Sequence, residues 1–138
     1  MKADELQTRL AGIDLFQGLS KRALKKLVRS GTQTTMPTAA RSSPKGAAIG
    51  FRLITAGDAR VTSGQTVRRT LGAGDYFGEI SVIDGQPRSA SVEAVGSLET
   101  FAIHPDVFDK IIEDHPDFAR GLLVLLCKRL REAEKRGS

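Results

Sequence analysis

The spacing of apolar residues changes twice along this chain. Over residues 4–30 they recur every three to four positions, as on one face of a helix, and Ser20 stands where a helix N-cap belongs. Over residues 31–101 they fall in short runs broken by Gly, Asp and Pro, which is typical of β-strands. Helical spacing returns after Pro105 and Pro116, because proline suits the first turn of a helix. The pattern predicts helices at both ends and strands between them.

The strand region predicts an antiparallel roll. Residues 59–62 and 66–69 lie on either side of Ser63-Gly64-Gln65, which marks a β-hairpin. Strands at this density, with no long helix between them, indicate a roll or a barrel. Residues 36–48 are polar and interrupted by proline, so we expect the strand there to be frayed or partly irregular.

Length and composition narrow the class of protein. A chain of 138 residues with 40% hydrophobic content is expected to form one domain with a real core. Lys and Arg number 21 against 16 Asp and Glu, and the resulting charge of +5 suits an anionic ligand without identifying one. The single cysteine favours a reducing compartment, and no apolar run reaches the roughly 18 residues of a membrane span. Residues 1–5 lack the apolar core of a signal peptide, so we expect a cytoplasmic protein.

Few residues offer metal, nucleophilic or surface-binding chemistry. His104 and His115 each precede a proline, and neither has a second ligand at metal-binding spacing, so each is expected to be a helix cap or a surface residue. Cys127 lies in an apolar helical run and is expected in the core. The basic face of residues 21–29 is interpreted as solvated, with lipid or nucleic-acid contact as the weaker alternative.

Residues 77–92, FGEISVIDGQPRSASV, hold the densest group of candidate binding residues. Gly78 permits a tight turn, and residues 79–83 are long enough for a short helix whose first amides have no internal partner and therefore favour an anion. Arg88, placed after a proline, can donate to two phosphate oxygens, and Ser89 adds a hydroxyl and an amide.

Among the residues named here as candidates for binding, Glu79 carries a carboxylate, which would repel a phosphate. We therefore expect its carboxylate to accept hydrogen bonds from a neutral hydroxyl pair, as on a ribose, with Arg88 moderating the repulsion. A phosphate together with ribose hydroxyls indicates a nucleotide.

The segment resembles the phosphate-binding cassette of cyclic nucleotide-binding domains of the catabolite activator and protein kinase A regulatory subunit type. The family pattern is roughly F-G-E-[LI]-[AS], then P-R-[STA]-A-[ST]-V, and every defining position matches with the family's spacing. Residues 50–61 resemble the strand–turn–strand unit that precedes the cassette, and residues 71–77 resemble the approach to it.

The resemblance implies a set of ligand-binding residues. In relatives, the last helix folds over the purine, and Arg129, counted from Pro116, falls where an arginine caps the ring in some ion-channel relatives. A guanidinium over a purine has a cation–π rationale, and a solvated helix charge is the equal alternative. The implied binding residues are Phe77, Gly78, Glu79, Ile80, Ser81, Arg88, Ser89, Ala90 and Arg129.

The resemblance also implies the architecture. The expected fold is α+β, a jelly-roll-like antiparallel β-roll with N-terminal helices, a short cassette helix and two C-terminal helices. The chain is then a single domain over 1–138, with an N-terminal helical segment over 1–30, a roll over 31–103 that contains the cassette at 77–91, and C-terminal helices over 104–138.

The implied function is a regulatory binding domain for cyclic AMP, without catalysis, metal or cofactor, that moves its C-terminal helix. A cyclic GMP domain is an alternative, although relatives that favour cyclic GMP place threonine where this chain has Ser89. The chain could also be a regulatory piece of a transcription regulator, channel or enzyme, with effector and oligomeric state left open.

We expect no direct DNA binding, because the chain ends at Ser138 without room for a helix-turn-helix domain. A metal-dependent enzyme on a similar roll would need a histidine cluster that the sequence lacks.

Overall fold

The computed structural model describes residues 1–38, 41–42, 50–79 and 91–137, with the backbone alone at 41–42. The described chain has an α+β fold with helices at both ends and an antiparallel sheet between them, as expected. It divides into two compact units, a helical unit of Met1–Arg29 with Lys110–Ser138 and a β-roll unit of Ser30–Asp109. The domain boundaries inferred from sequence remain a prediction.

The described helices begin where their sequence signals stand. Ser20 Oγ accepts a hydrogen bond from the Ala23 amide at 3.2 Å, so the predicted N-cap is confirmed. His104 Nδ1 accepts one from the Asp106 amide at 3.1 Å, which confirms a capping role for this histidine. A 3-10 helix covers Asp14–Phe16, and the α-helices are α1 (Ala3–Ala11), α2 (Lys21–Ser30), α3 (Pro105–Asp114) and α4 (Pro116–Gly137).

The helical unit is held together by buried aromatic and aliphatic side chains. The rings of Phe16 and Phe118 stack with centroids 6.1 Å apart, and Leu122 adds a second buried side chain one turn along α4. Cys127 is exposed, so its predicted place in the core is wrong. It follows Leu122 by five residues, which rotates it away from the face of α4 that is buried.

The roll is built on two central strands. Its strands are β1 (Thr32–Met36), β2 (Arg41–Ser42), β3 (Phe51–Ser63), β4 (Thr66–Leu71), β5 (Tyr76–Phe77) and β6 (Ser91–Ile103). They pair antiparallel in the order β1-β6-β3-β4, while β2 also pairs with β6 and β5 with β3. Strand β1 ends directly before Pro37, in line with the predicted interruption, whereas residues 39–40 and 43–49 lie outside the described residues.

The predicted hairpin joins β3 and β4, and its loop is the pair Gly64-Gln65. Gly64 has a φ of 63°, the left-handed conformation that two-residue hairpin loops require. Ser63 and Thr66 pair across this loop, so the hairpin is one residue tighter than the expected three-residue turn.

The strand–turn–strand unit predicted over residues 50–61 is wrong, because β3 runs unbroken from Phe51 to Ser63. Its pairing with β6 shifts register between Ile54 and Ala56 and again between Ala56 and Asp58, which is the signature of β-bulges. Gly57 adopts a φ of 95°, and a Cβ there would lie 2.5 Å from the Ser97 carbonyl oxygen. The glycine therefore bends one strand instead of ending it.

Replacing Gly57 and Gly64 by alanine should separate the cost of a left-handed φ from the cost of a steric clash. Gly57→Ala meets both the left-handed φ and the Ser97 oxygen, so we expect it to lower the free energy of unfolding by about 2–4 kcal/mol. Gly64→Ala is the matched control, because nothing lies within 4 Å of its added Cβ, and φ strain alone should cost about 1 kcal/mol. Urea unfolding followed by circular dichroism measures both. Equal losses would contradict the close approach at Gly57.

Candidate functional site

The site begins at β5, a two-residue strand whose second residue, Phe77, is the first residue of the predicted cassette. Tyr76 and Phe77 pair with Leu53 and Arg52 of β3. The Phe77 side chain is buried in the roll's core cluster, and the Tyr76 ring packs against Phe51 with centroids 5.3 Å apart. Strand β5 is thereby fastened by a buried side chain on one face of the sheet and an aromatic contact on the other.

A tight turn aligns β5 with β3. The Asp75 amide donates to the Gly72 carbonyl at 3.0 Å, and Gly74 has a φ of 94°, as the third residue of a type II turn requires. The Asp75 side chain closes the turn by accepting a hydrogen bond from the Gly72 amide at 2.8 Å. The Ile54 amide donates to the Asp75 carbonyl at 2.8 Å, and the Gly74 amide donates to the Ile54 carbonyl at 2.9 Å. These two hydrogen bonds connect the turn to β3. The approach to the cassette is therefore held by the central strand.

Of the predicted binding residues that follow β5, Gly78 and Glu79 fall among the described residues. Gly78 is buried and has a φ of 85°, which confirms the glycine turn that the sequence predicts. Glu79 is half-buried and helical, and it interacts with another residue of the protein through a hydrogen bond or its charge. The chain thus enters the predicted cassette helix directly from a left-handed glycine.

The far end of the segment is fastened in the same core. Ser91 begins β6 opposite Thr62, and the next residue, Val92, pairs with Val61 and is buried. Phe77 and Val92 belong to one core cluster, so buried side chains hold the chain on both sides of residues 80–90. The predicted binding residues Ile80, Ser81, Arg88, Ser89 and Ala90 lie outside the described residues, and their roles stay predictions.

Arg52 is a residue of this region that the sequence reasoning missed. Its Nη1 donates to the hydroxyls of Thr34 at 2.9 Å and Thr100 at 3.0 Å, so one guanidinium links β3 to β6 and β1. Burial lowers the pKa of Arg52 below its ordinary value, because the charged form loses hydration. A cation at an alternating position between buried Phe51 and Leu53 was the signal that could have revealed it.

Arg129, the predicted purine contact, lies in the helical unit on α4. Its Nη2 is 3.7 Å from Asp14 Oδ2 of the 3-10 helix. Both side chains are partly exposed, so solvent screens this ion pair. The structure therefore gives Arg129 a protein partner, and its role toward a ligand stays a prediction.

Metal-binding clusters and membrane-spanning helices are both missing from the described residues. No group of three or more His, Cys, Asp or Glu side chains is placed to hold a metal ion in the described part of the chain. Among the helices described here, none is long and apolar enough to cross a bilayer.

Comparison with known proteins identifies the family. Residues 45–115 match the family model of the cyclic nucleotide-binding domain. The chain is 31% identical over 114 residues to a cyclic nucleotide-gated potassium channel of Rhizobium etli, a match that covers 82% of this chain and 32% of the channel. The chain belongs to the cyclic nucleotide-binding domain family and is a regulatory domain of that class.

Shorter matches reach proteins of different kinds. Over 64 residues, or 46% of this chain, identity is 42% to a cyclic AMP receptor protein of Thermus thermophilus and to a cGMP-dependent protein kinase of Plasmodium berghei. These matches cover 30% and 8% of the two proteins, so the chain spans about a third or less of the curated relatives it matches.

A solved structure supports the fold independently. The N-terminal domain of a transcriptional regulator from Streptomyces coelicolor superposes with a TM-score of 0.78 at 19% identity. The superposition covers 94% of this chain and 95% of that domain. Nearly the whole chain therefore shares one architecture with it.

The turn before β5 offers a direct test of how the site is positioned. Asp75→Ala removes the acceptor of the Gly72 amide, so we expect the free energy of unfolding to fall by about 1 kcal/mol. Asp75→Asn keeps an oxygen acceptor at the same position and should lose less than half as much. Chemical denaturation of both variants measures this difference, and equal losses would show that the side chain does not close the turn.

Proposed function

We propose that this chain is a cytoplasmic sensor domain for cyclic AMP that converts ligand binding at residues 77–91 into movement of α4. The observation that carries the proposal is that Phe77 and Val92 anchor both ends of the predicted cassette in one core. Gly78, with its φ of 85°, then leads into helical Glu79. Such anchoring supports the proposal, because the two points at which the chain enters and leaves the segment need no ordering when a ligand binds.

Each cassette residue has a proposed role. Arg88 donates to two phosphate oxygens, Ser89 adds its hydroxyl and amide, and the first backbone amides of the predicted cassette helix donate to the same anion. Glu79 accepts from the ribose 2′-hydroxyl. Ile80, Ser81 and Ala90 complete the loop around the phosphate, and no residue is assigned a catalytic step.

The division of the chain into two units supports the proposed movement. The described ends of the cassette belong to the β-roll unit, whereas α4 belongs to the helical unit. A nucleotide would shift α4 only through a higher affinity for one arrangement of the two. Arg129 would take part by exchanging Asp14 for the purine face, and an exposed ion pair of 3.7 Å costs only about 0–1 kcal/mol to break.

The choice between cyclic AMP and cyclic GMP rests on Ser89. Sequence similarity does not decide it, since the relatives matched at 42% identity include one cyclic AMP receptor protein and one cGMP-dependent kinase. Many cyclic AMP-binding relatives also have serine at this position. A cyclic GMP sensor is the second candidate, and the match to the cGMP-dependent kinase favours it. With either ligand, the chain could be a regulatory piece of a larger transcription regulator, channel or enzyme.

Arg88 should dominate the affinity. Calorimetric titration of the parent should give saturable binding, tighter for cyclic AMP than for cyclic GMP. Arg88→Ala loses a charge-assisted contact to a desolvated phosphate and should weaken binding by about 2–5 kcal/mol. Arg69→Ala, which removes an exposed cation from β4, is the control and should bind like the parent. A folded Arg88→Ala protein that binds within about threefold of the parent would overturn the phosphate assignment.

The role of Glu79 can be separated from general damage to the loop. We expect Glu79→Ala to weaken cyclic AMP binding clearly but to weaken a 2′-deoxy analogue much less, because the analogue has no hydroxyl to lose. The difference between the two ligands, measured by calorimetry on parent and variant, isolates the ribose contact. If both ligands lose the same affinity, Glu79 has another function.

A further inference from the structure

Helix α4 carries a second apolar surface that no described element covers. Its buried side includes Phe118 and Leu122, but Leu123, Val124 and Leu130 are 64%, 62% and 60% exposed. Exposed Cys127 lies between them, at helical spacing from both Leu123 and Leu130. We call Leu123, Val124, Cys127 and Leu130 the exposed stripe. It extends over about 10 Å, or two helical turns.

Cations flank one side of the exposed stripe. The groove that contains Leu123, Val124 and Cys127 is also lined by Arg120, Lys128, Arg131 and Lys135, against one carboxylate among the described lining residues, Glu132. In the last turns of the helix, Glu134 and Arg136 add one charge of each sign. An aligned apolar surface with a basic rim is a typical interaction surface, whereas singly scattered exposed leucines need no explanation.

The charge of the whole helical unit has the same sign. This unit contains 14 of the 21 Lys and Arg residues and 8 of the 16 Asp and Glu residues, which gives it a formal charge of +6. The β-roll unit has the remaining 7 and 8, and so a formal charge of −1. The positive field that steers partners therefore originates in the unit that carries the exposed stripe.

These features discriminate among possible occupants. A second copy of the chain would bring the same cationic rim against itself, which opposes pairing through this face. A lipid bilayer would have to accept Arg120 and Arg131, which lie on the same side of the helix as the apolar residues. A helix with apolar side chains along one face and carboxylates beside them matches the length of the exposed stripe and the positive charge of its rim.

We propose that the exposed stripe binds an acidic amphipathic helix of a partner protein. Apolar side chains of the partner pack against Leu123, Val124 and Leu130. Its carboxylates pair with Arg120, Lys128 and Arg131 at the rim. The inference does not depend on the nucleotide, so it can fail while the proposed function stands, and the reverse also holds.

A pair of synthetic helices tests the surface on the full chain. Both peptides have 18 residues and leucines at positions i, i+3, i+4 and i+7, and they differ only in flanking glutamates or lysines. Fluorescence anisotropy should show that the glutamate peptide binds at least about tenfold more tightly than the lysine peptide, with affinity falling as salt is added. Equal binding of the two peptides, or binding of neither, would overturn the proposal.

Variants of α4 test whether the peptide binds at the exposed stripe. Lys128→Glu should weaken the glutamate peptide about fivefold or more, whereas Arg136→Glu, which changes net charge equally but lies outside the groove lining, should stay within about twofold. Leu123→Gln should also weaken it, and its side chain is exposed enough for the fold to be retained, which circular dichroism checks. Equal losses for Lys128→Glu and Arg136→Glu would overturn the assignment to this stripe.

Two measurements identify the other occupants. Light scattering of the parent and of Leu123→Gln tests a second copy, and sedimentation with phosphatidylcholine vesicles containing phosphatidylserine tests a membrane. We expect a monomer at micromolar concentration and no vesicle binding that depends on Leu123. A dimer or a vesicle complex that Leu123→Gln abolishes would replace the acidic helix as the occupant.

Discussion

The pairing of β3 with β6 is the interaction on which the β-roll and its binding site depend. Each strand has 13 residues, and every other described strand of the sheet pairs directly with one of these two. Strand β3 pairs with β5, whose Phe77 is the first residue of the predicted cassette, and β6 begins at Ser91, the last residue of the cassette. The same ladder thus defines where the predicted ligand loop starts and where it ends.

This ladder is interrupted by bulges, a feature that bends strands. A straight 13-residue pair would carry its two ends far apart, since each residue of a strand adds about 3.3 Å. Gly57 on β3 and Gly96 on β6 both adopt left-handed φ values, of 95° and 76°, within the bulged stretch. Because glycine adopts these φ values without strain, both strands continue through the bulges, and β3 is not divided by a loop.

The sequence predicted features that depend on neighbouring residues and missed those that depend on distant ones. Ser20 as a cap and Gly64 in the hairpin loop are local signals, and both were confirmed. A turn was expected within residues 50–61, where the structure has a bulged strand, because the Ser97 carbonyl that Gly57 approaches is 40 residues away along the chain. Alternation within β3 could have singled out Arg52, but not its hydrogen bonds to Thr34 and Thr100, which lie on two other strands. For the site, the cassette pattern identified the family, but the roles of Arg88 and Ser89 still rest on that pattern.

The separation of charge changes how the net positive charge is understood. From composition, +5 suited an anionic ligand, yet the roll that contains the cassette has a formal charge of −1. Nucleotide affinity would then come from short-range contacts at the cassette, while the cationic helical unit is free to attract an acidic partner. Hydrogen exchange measured by mass spectrometry with and without cyclic AMP tests this account most directly. It predicts slower amide exchange over residues 77–91 together with altered exchange in α4. Unchanged exchange over 77–91 at saturating cyclic AMP would contradict it.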